Sequence, residues 1–304
     1  MTAPPASETE TLGLTIVVPA YNEEGGIGGV LDDLLDMAGT VAMPWEVVVV
    51  DDGSRDRTAE IAHGRDGVRV IRHTVNKGYG AALKTGVRHA RYELVCITDA
   101  DGTYPNGRIP DLMETLVRDE LDMIVGARTG PNVAIPLVRR PAKWAIRRLA
   151  EYVAGQRIPD VNSGLRVFRK SVALRLLSLL PEGFSFTTTI TLGMLANGYL
   201  VDYTDIDYHG RIGKSKIRPI RDTIGFTQLV IRMALYFAPL KVFMPVSGLF
   251  FAIAAGLGLI STFIFGRLAD VTTLVVVLAA VQITAVGMLA ELINGRLPNY
   301  YKEE

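Results

Sequence analysis

From Leu14 to Arg128 the chain alternates between short, wholly apolar runs and amphipathic stretches. "LTIVVPA", "WEVVVVDDGS", "VRVIRH", "ELVCITDAD" and "LDMIVGAR" read as strands. The segment from about Glu23 to Met37, "DRTAEIAHG", "YGAALKTGVRHA" and the segment from about Ile109 to Arg118 read as helices. Strands with no alternating polar face, each followed by a helix, predict an α/β domain. Its mostly parallel sheet is covered on both sides. Ligands in such sheets bind beyond the carboxyl ends of the strands. Five polar clusters fall there: Pro19 to Glu23, Asp51 to Ser54, Asn76 to Gly78, Asp99 to Asp101, and Gly126 to Arg128. One polar strand end is ordinary capping; five in register predict a site.

The pattern changes near the C-terminus. Val242 to Phe265 carries no charge, and neither does Val271 to Ala290. Each is long enough to span a hydrocarbon core, which needs about 20 apolar residues. "GRLAD", Gly266 to Asp270, leaves room only for a tight turn, so the pair predicts a transmembrane hairpin. Arg218, Arg221, Arg232 and Lys241 precede it and Arg296 and Lys302 follow, against Arg267 alone in the linker. The positive-inside rule then puts the bulk of the chain on the cytoplasmic side of the inner (plasma) membrane. The plainer alternative, two helices of a soluble core, fits poorly with runs this long and uncharged. "VRRPAKWAIRRLAEYVAG" and "IRDTIGFTQLVIRMALYFAPL" read as basic amphipathic helices at the membrane surface, or more plainly as surface helices on the core.

Composition refines this little. The mean hydropathy of +0.25 reflects the two apolar runs. With 32 basic and 32 acidic residues, net charge gives no sign of a nucleic-acid partner. Cys96, the one cysteine, reads as a small core residue. The opening "MTAPPASETETLG" lacks a signal-peptide pattern and reads as a short leader.

The chemistry concentrates in "VCITDADGTYP". On a strand, Asp99 and Asp101 point to one face. Two hard carboxylates facing one point suit Mg²⁺ or Mn²⁺, whose shell substrate phosphates and waters complete. The bland rival is a turn; the position at the end of an apolar strand favours the metal. Asp51 is placed to accept from a base N–H, although Asp-Gly-Ser is also turn chemistry. Gly78 lets backbone approach a ligand while Lys77 faces phosphate, unless the segment is merely a glycine-rich helix entrance. Arg128, Arg166, Arg211 and Lys214 are cations suited to a phosphate-rich ligand. "GRIGKS" is not a P-loop, since Tyr208 stands where glycine is required, and no G-x-G-x-x-G follows the first strand. His63, His73 and His89 read as solvated.

Taken in order and spacing, "IVVPAYNEE", "VDDGSRDRT", "NKGYGAALKTG", "TDADGTYP", "GAR", "NSGLRVF" and "GRIGKSK" resemble family 2 glycosyltransferases of GT-A fold. The similarity is greatest to the polyprenyl-phosphate group, the dolichol-phosphate mannose and glucose synthases and bacterial undecaprenyl-phosphate enzymes with two C-terminal spans. The resemblance implies a leader over 1–12, a GT-A domain over 13–218, a juxtamembrane amphipathic helix over 219–240, the hairpin over 241–293 and a cytoplasmic tail over 294–304. Pro19, Tyr21, Glu23 and Asp51 would hold the nucleoside of a UDP- or GDP-sugar, with Asp52 and Lys77 close by. Asp99 and Asp101 would carry the metal, Mg²⁺ or Mn²⁺. Arg128 and Arg166, with Arg139 and Arg140, would receive the polyprenyl phosphate; Asp101, Arg128 and Arg166 would be catalytic. Arg211, Lys214 and Ser215 would close over the donor diphosphate. Many relatives have Gln as a further metal ligand where this chain has Thr103. The expected reaction is inverting transfer of the sugar to the lipid phosphate, and a homo-oligomer is compatible with paired hairpins. Two rivals are a non-catalytic membrane scaffold and a processive polysaccharide synthase. The latter usually carries Q-x-x-R-W, and Gln228 to Arg232 has the wrong spacing and no Trp.

Overall fold

A computed structural model describes residues 12–129, 148, 151–152, 155–183, 185–208, 231–232, 234–236, 238–266 and 271–296. The predicted strands form: β1 (Leu14–Ala20), β2 (Trp45–Asp51), β3 (Val68–Arg72), β4 (Leu94–Ile97) and β5 (Met123–Arg128). Helices α1 (Ile27–Ala38), α2 (Thr58–His63), α3 (Tyr79–His89) and α4 (Ile109–Arg118) connect them. Two strands that the pattern did not announce, β6 (Arg166–Arg169) and β7 (Val201–Ile206), complete a seven-stranded sheet ordered β3-β2-β1-β4-β6-β5-β7. β6 runs antiparallel to both neighbours, β4 and β5, while every other pairing is parallel.

Burial on both faces explains the unbroken apolar runs. Ile16, Val18, Val47, Val49 and Cys96 pack with Leu31 and Leu34 of α1 and Leu112 and Leu116 of α4. Val17, Val48, Val50, Val95 and Ile97 face the other way, against Leu83 and Val87 of α3. That second layer also holds α5 (Lys170–Leu176) and α6 (Phe186–Ala196). Cys96 is buried, as its apolar setting implied. α1 starts at Ile27, not near Glu23, because Glu23 and Glu24 are engaged in the loop before it.

Two further helices, α7 (Pro239–Phe265) and α8 (Val271–Arg296), contain segments of 25 and 23 residues long and apolar enough to cross a membrane. They pack along small residues. The Ser247 hydroxyl bonds the Ala280 carbonyl at 2.9 Å and Thr284 Oγ1 at 2.6 Å, while Ala254 and Ala280 are buried. A Cβ on Gly287 would lie 2.6 Å from Phe243 Cβ, so glycine there lets the helices approach. Large apolar side chains point outward, including Leu249, Leu259, Phe263, Leu274 and Leu289. An outward apolar surface of this extent needs an apolar surrounding.

Candidate active site

The first two loops at the sheet's carboxyl edge are tied together. Asn22, in the left-handed region at φ 52°, donates its N–H to Ser54 Oγ at 3.0 Å and accepts the Arg55 N–H at 2.9 Å. The Glu23 N–H bonds Thr58 Oγ1 at 2.9 Å, and Glu24 and Asp56 bond across the same gap. Tyr21 and Glu23 are thereby set beside Asp51 to Ser54, while Pro19 lies buried within β1. Asp51 is fully buried. Its Oδ1 accepts the Ser54 N–H at 3.1 Å, and its Oδ2 lies 3.0 Å from Arg72 Nε. A base N–H reaching Asp51 would therefore share it with Arg72, a partner that periodicity could not reveal.

Asp52 has a different occupation from the one expected. Its buried carboxylate accepts N–H bonds from Lys77 at 2.9 Å and Gly78 at 2.8 Å, and Oδ1 sits 2.7 Å from His73 Nδ1. It secures the loop before α3 rather than facing outward. His73, expected in solvent, is only 7% exposed and also bonds Thr85 Oγ1 at 2.9 Å. The strand-end reading failed because the loop from Thr74 to Gly78 folds back over β2. Lys77 keeps its side chain exposed at this edge.

The two central aspartates lie on a turn and not on a strand, so strand alternation does not set their directions. β4 ends at Ile97, so Asp99 and Asp101 lie beyond it, on a turn that Gly102 closes at φ 72°. Asp99 Oδ1 accepts the Tyr79 hydroxyl at 2.9 Å. Asp101, 6% exposed, receives on Oδ1 both the Thr103 hydroxyl at 2.7 Å and its N–H at 3.2 Å. Thr103 thus orients Asp101. The surroundings leave little slack: a Cβ on Gly26 would fall 2.8 Å from the Ala100 oxygen, and one on Gly164 3.0 Å from Asp99 Oδ2. Among the described residues no three His, Cys, Asp or Glu side chains gather as a metal cage. Two hard carboxylates fit Mg²⁺ or Mn²⁺, which takes one or two such ligands and fills its shell with water and phosphate oxygens.

The arginines are engaged. Arg128 grips Asp160 with Nε at 2.7 Å and a second guanidinium nitrogen at 3.1 Å, and stands 5.2 Å over the Tyr208 ring. Burial pushes the Asp160 carboxyl up, but the bonds and charge of Arg128 outweigh this and hold it below the usual carboxylate range. Arg166 departs further from expectation. It is fully buried, and its guanidinium donates to the Thr187 carbonyl at 2.9 Å, Thr191 Oγ1 at 2.8 Å and the Ser163 carbonyl. It ties β6 to α6 and has no exposed face for an acceptor phosphate, because the strand carries it under the Ser163–Gly164 turn. Tyr104 joins the two arginine regions: its hydroxyl accepts the Gly164 N–H at 2.6 Å and its ring meets Tyr208 edge-on at 5.5 Å. Arg139, Arg140, Arg211, Lys214 and Ser215 lie outside the described residues.

Sequence reasoning missed Arg72, Tyr79, Asp160 and Tyr208. Only Tyr79 carried a usable signal, as a large polar aromatic opening a helix otherwise full of glycine and alanine.

Known families match two separate parts of the chain. Residues 15–177 match glycosyl transferase family 2, and residues 238–295 match the GtrB C-terminal hairpin. A dolichyl-phosphate hexose transferase of Haloferax volcanii is 32% identical over 223 residues, covering 73% of this chain and 94% of its own. A dodecaprenyl-phosphate galacturonate synthase of Rhizobium johnstonii is 28% identical over 319 residues, 97% of this chain and 90% of its own. Glucosyl-3-phosphoglycerate synthase of Mycobacterium tuberculosis, solved with Mn²⁺, UDP and phosphoglyceric acid, superimposes with a TM-score of 0.58. It is 20% identical, over 74% of this chain and 78% of its own, and shares the GT-A type of fold.

Proposed function

We propose that this chain, which belongs to glycosyl transferase family 2, transfers a sugar from a nucleotide sugar to the phosphate of a polyprenyl lipid. One observation carries the reading: a carboxylate-bearing sheet edge and a two-helix apolar hairpin stand in a single chain, and both parts match known families. A soluble acceptor would give no reason for the hairpin. The relatives named for dolichyl and dodecaprenyl phosphate support the lipid acceptor. In this reading the hairpin crosses the inner membrane and the sheet domain lies in the cytoplasm.

Tyr21, Glu23 and Asp51 flank the nucleoside, with Pro19 shaping the floor and Lys77 towards the diphosphate. Asp99 and Asp101 would hold Mg²⁺ or Mn²⁺, which would supply positive charge against the departing nucleoside diphosphate. The acceptor phosphate is assigned to Arg128, which stands beside Asp160 and Tyr208, and by sequence to Arg139 and Arg140. Arg211, Lys214 and Ser215 are assigned by sequence to the donor diphosphate. Arg166 is assigned to holding β6 on α6. A phosphate monoester has its second pKa near about 6, so the acceptor oxygen is ionised at neutral pH and needs no general base. That oxygen attacks the anomeric carbon, the bond to the diphosphate breaks, and configuration inverts. The residues then serve chiefly to align two anions and screen their repulsion.

The test incubates membranes containing the full chain with radiolabelled UDP- and GDP-sugars and undecaprenyl or dolichyl phosphate. Label is expected in organic-extractable lipid with the wild type, and at background with Asp101→Ala inserted at equal level. Asp101→Ala membranes as active as wild type would reject the assignment of the acidic pair.

A further inference from the structure

The first turn of α3 bridges two aspartates that lie on different strands' ends. On one side, Asp52 takes the Lys77 and Gly78 N–H groups at 2.9 and 2.8 Å, with His73 2.7 Å behind it. On the other, the Pro181–Gly183 segment presses on the same turn. The Ala81 N–H donates to the Glu182 carbonyl at 3.0 Å. A Cβ on Gly78 would fall 2.5 Å from the Glu182 oxygen, and one on Gly80 2.2 Å from that of Pro181. Gly78, at φ 107°, has a conformation that glycine adopts without strain. The turn is fixed from both sides, and it delivers the Tyr79 hydroxyl 2.9 Å from Asp99 Oδ1.

We propose that Tyr79 is a positioning residue that sets the Asp99 carboxylate for its cation, and that Asp52 with His73 sets the turn from which Tyr79 reaches it. This rests on the reading above that Asp99 and Asp101 hold a divalent metal. A carboxylate that binds a metal through one oxygen is oriented by the donor on the other, and such partners tune affinity roughly 10–100-fold. The phenol is suited to this. A neutral phenol hydroxyl donates one hydrogen bond to a carboxylate, and this one reaches Asp99 Oδ1 directly. The arrangement also mirrors Asp101, whose Oδ1 is held by Thr103. Each aspartate has its own hydroxyl donor, one supplied locally and one across the fold. The Asp52–His73 pair matters here because nothing else bonds the Lys77 and Gly78 amides among the contacts described.

The experiment measures Mn²⁺ binding by electron paramagnetic resonance on full-length protein in detergent micelles. It uses saturating UDP or GDP, whichever tightens Mn²⁺ on the wild type. Tyr79→Phe is expected to weaken Mn²⁺ about tenfold, the value of one hydrogen bond to a charged group. Its thermal midpoint and its metal-independent nucleotide affinity are expected to stay at wild-type values. Asp52→Asn, which does not touch Asp99, is expected to weaken Mn²⁺ in the same direction. Tyr79→Phe binding Mn²⁺ within twofold of wild type, while Asp101→Ala loses it, would overturn the positioning role and leave the metal site standing. Asp101→Ala binding Mn²⁺ like the wild type would overturn both.

Discussion

Replacing Thr103 by valine isolates one bond at the centre of the site. The side chain is fully buried, and its hydroxyl donates to Asp101 Oδ1 at 2.7 Å while its own N–H reaches the same oxygen at 3.2 Å. Valine keeps the branched shape and the main-chain donor and removes only the hydroxyl. A hydrogen bond to a charged group contributes about 1.5–3 kcal/mol. Because one donor to that oxygen persists, the lower figure applies, so about 1.5 kcal/mol, or about tenfold, is at stake. If Thr103 orients Asp101, the loss appears in kcat for sugar transfer at saturating Mn²⁺, with Thr103→Ser close to wild type. A melting temperature lowered by only a few degrees would accompany it, since about 1 kcal/mol shifts a domain of this size by roughly 2–4 °C. Steady-state transfer to polyprenyl phosphate, run beside thermal unfolding, separates the two. Valine within twofold of wild type, or serine as impaired as valine, would refute the role of the hydroxyl.

Arg166→Met should destabilise the sheet domain by about 1–3 kcal/mol, since it strands the buried Ser163 carbonyl, while the Thr187 carbonyl keeps the Thr191 hydroxyl. Urea unfolding followed by tryptophan fluorescence checks this, and an unchanged midpoint would remove Arg166 from the framework. Asp160 titrates below its unfolded value, so its contribution is complete above about pH 4 and is lost as pH falls through the lower folded value. The stability gap between wild type and Asp160→Asn should therefore narrow on acidification below about pH 4, and a gap that widens there would contradict the assigned pairing. Gly86→Ala would put a Cβ 2.2 Å from Val17 Cγ1 on β1, costing about 1–3 kcal/mol by overpacking. A thermal midpoint equal to wild type would show that α3 can move away from β1.

Much of this was readable from the residues. β1, β2, β4 and β5 announce themselves because both sheet faces are covered there, so Ile16 and Val17 are equally apolar though they point opposite ways. The hairpin is legible because an uncharged run of that length has few other uses. β6 was hidden by its ends: Arg166 and Arg169 flank two apolar residues, and only pairing with β4 and β5 makes that a strand. α6 reads as "FTTTITLGMLA", whose β-branched residues disfavour a helix in isolation. Burial of Phe186, Ile190 and Met194 against the sheet overrides that preference. Within the site, composition and order located Asp99 and Asp101, but no local pattern separates an aspartate that faces a ligand from one that binds the chain's own amides. Asp51 and Asp52 are adjacent and both buried, yet one pairs with Arg72 and the other with His73, Lys77 and Gly78. Those partners come from β3 and the loop beyond it, so tertiary folding alone reveals them.

In the proposed reaction the acidic edge transfers a sugar onto a membrane-borne phosphate. Its most direct test is mass spectrometry of lipid recovered after the purified full chain, in vesicles containing undecaprenyl phosphate, meets nucleotide sugars with Mg²⁺ or Mn²⁺. A polyprenyl phosphate heavier by one glycosyl unit is expected, formed in step with released nucleoside diphosphate and absent with Asp101→Ala. Nucleoside diphosphate released with no change in the lipid, or no turnover of any donor, would contradict it.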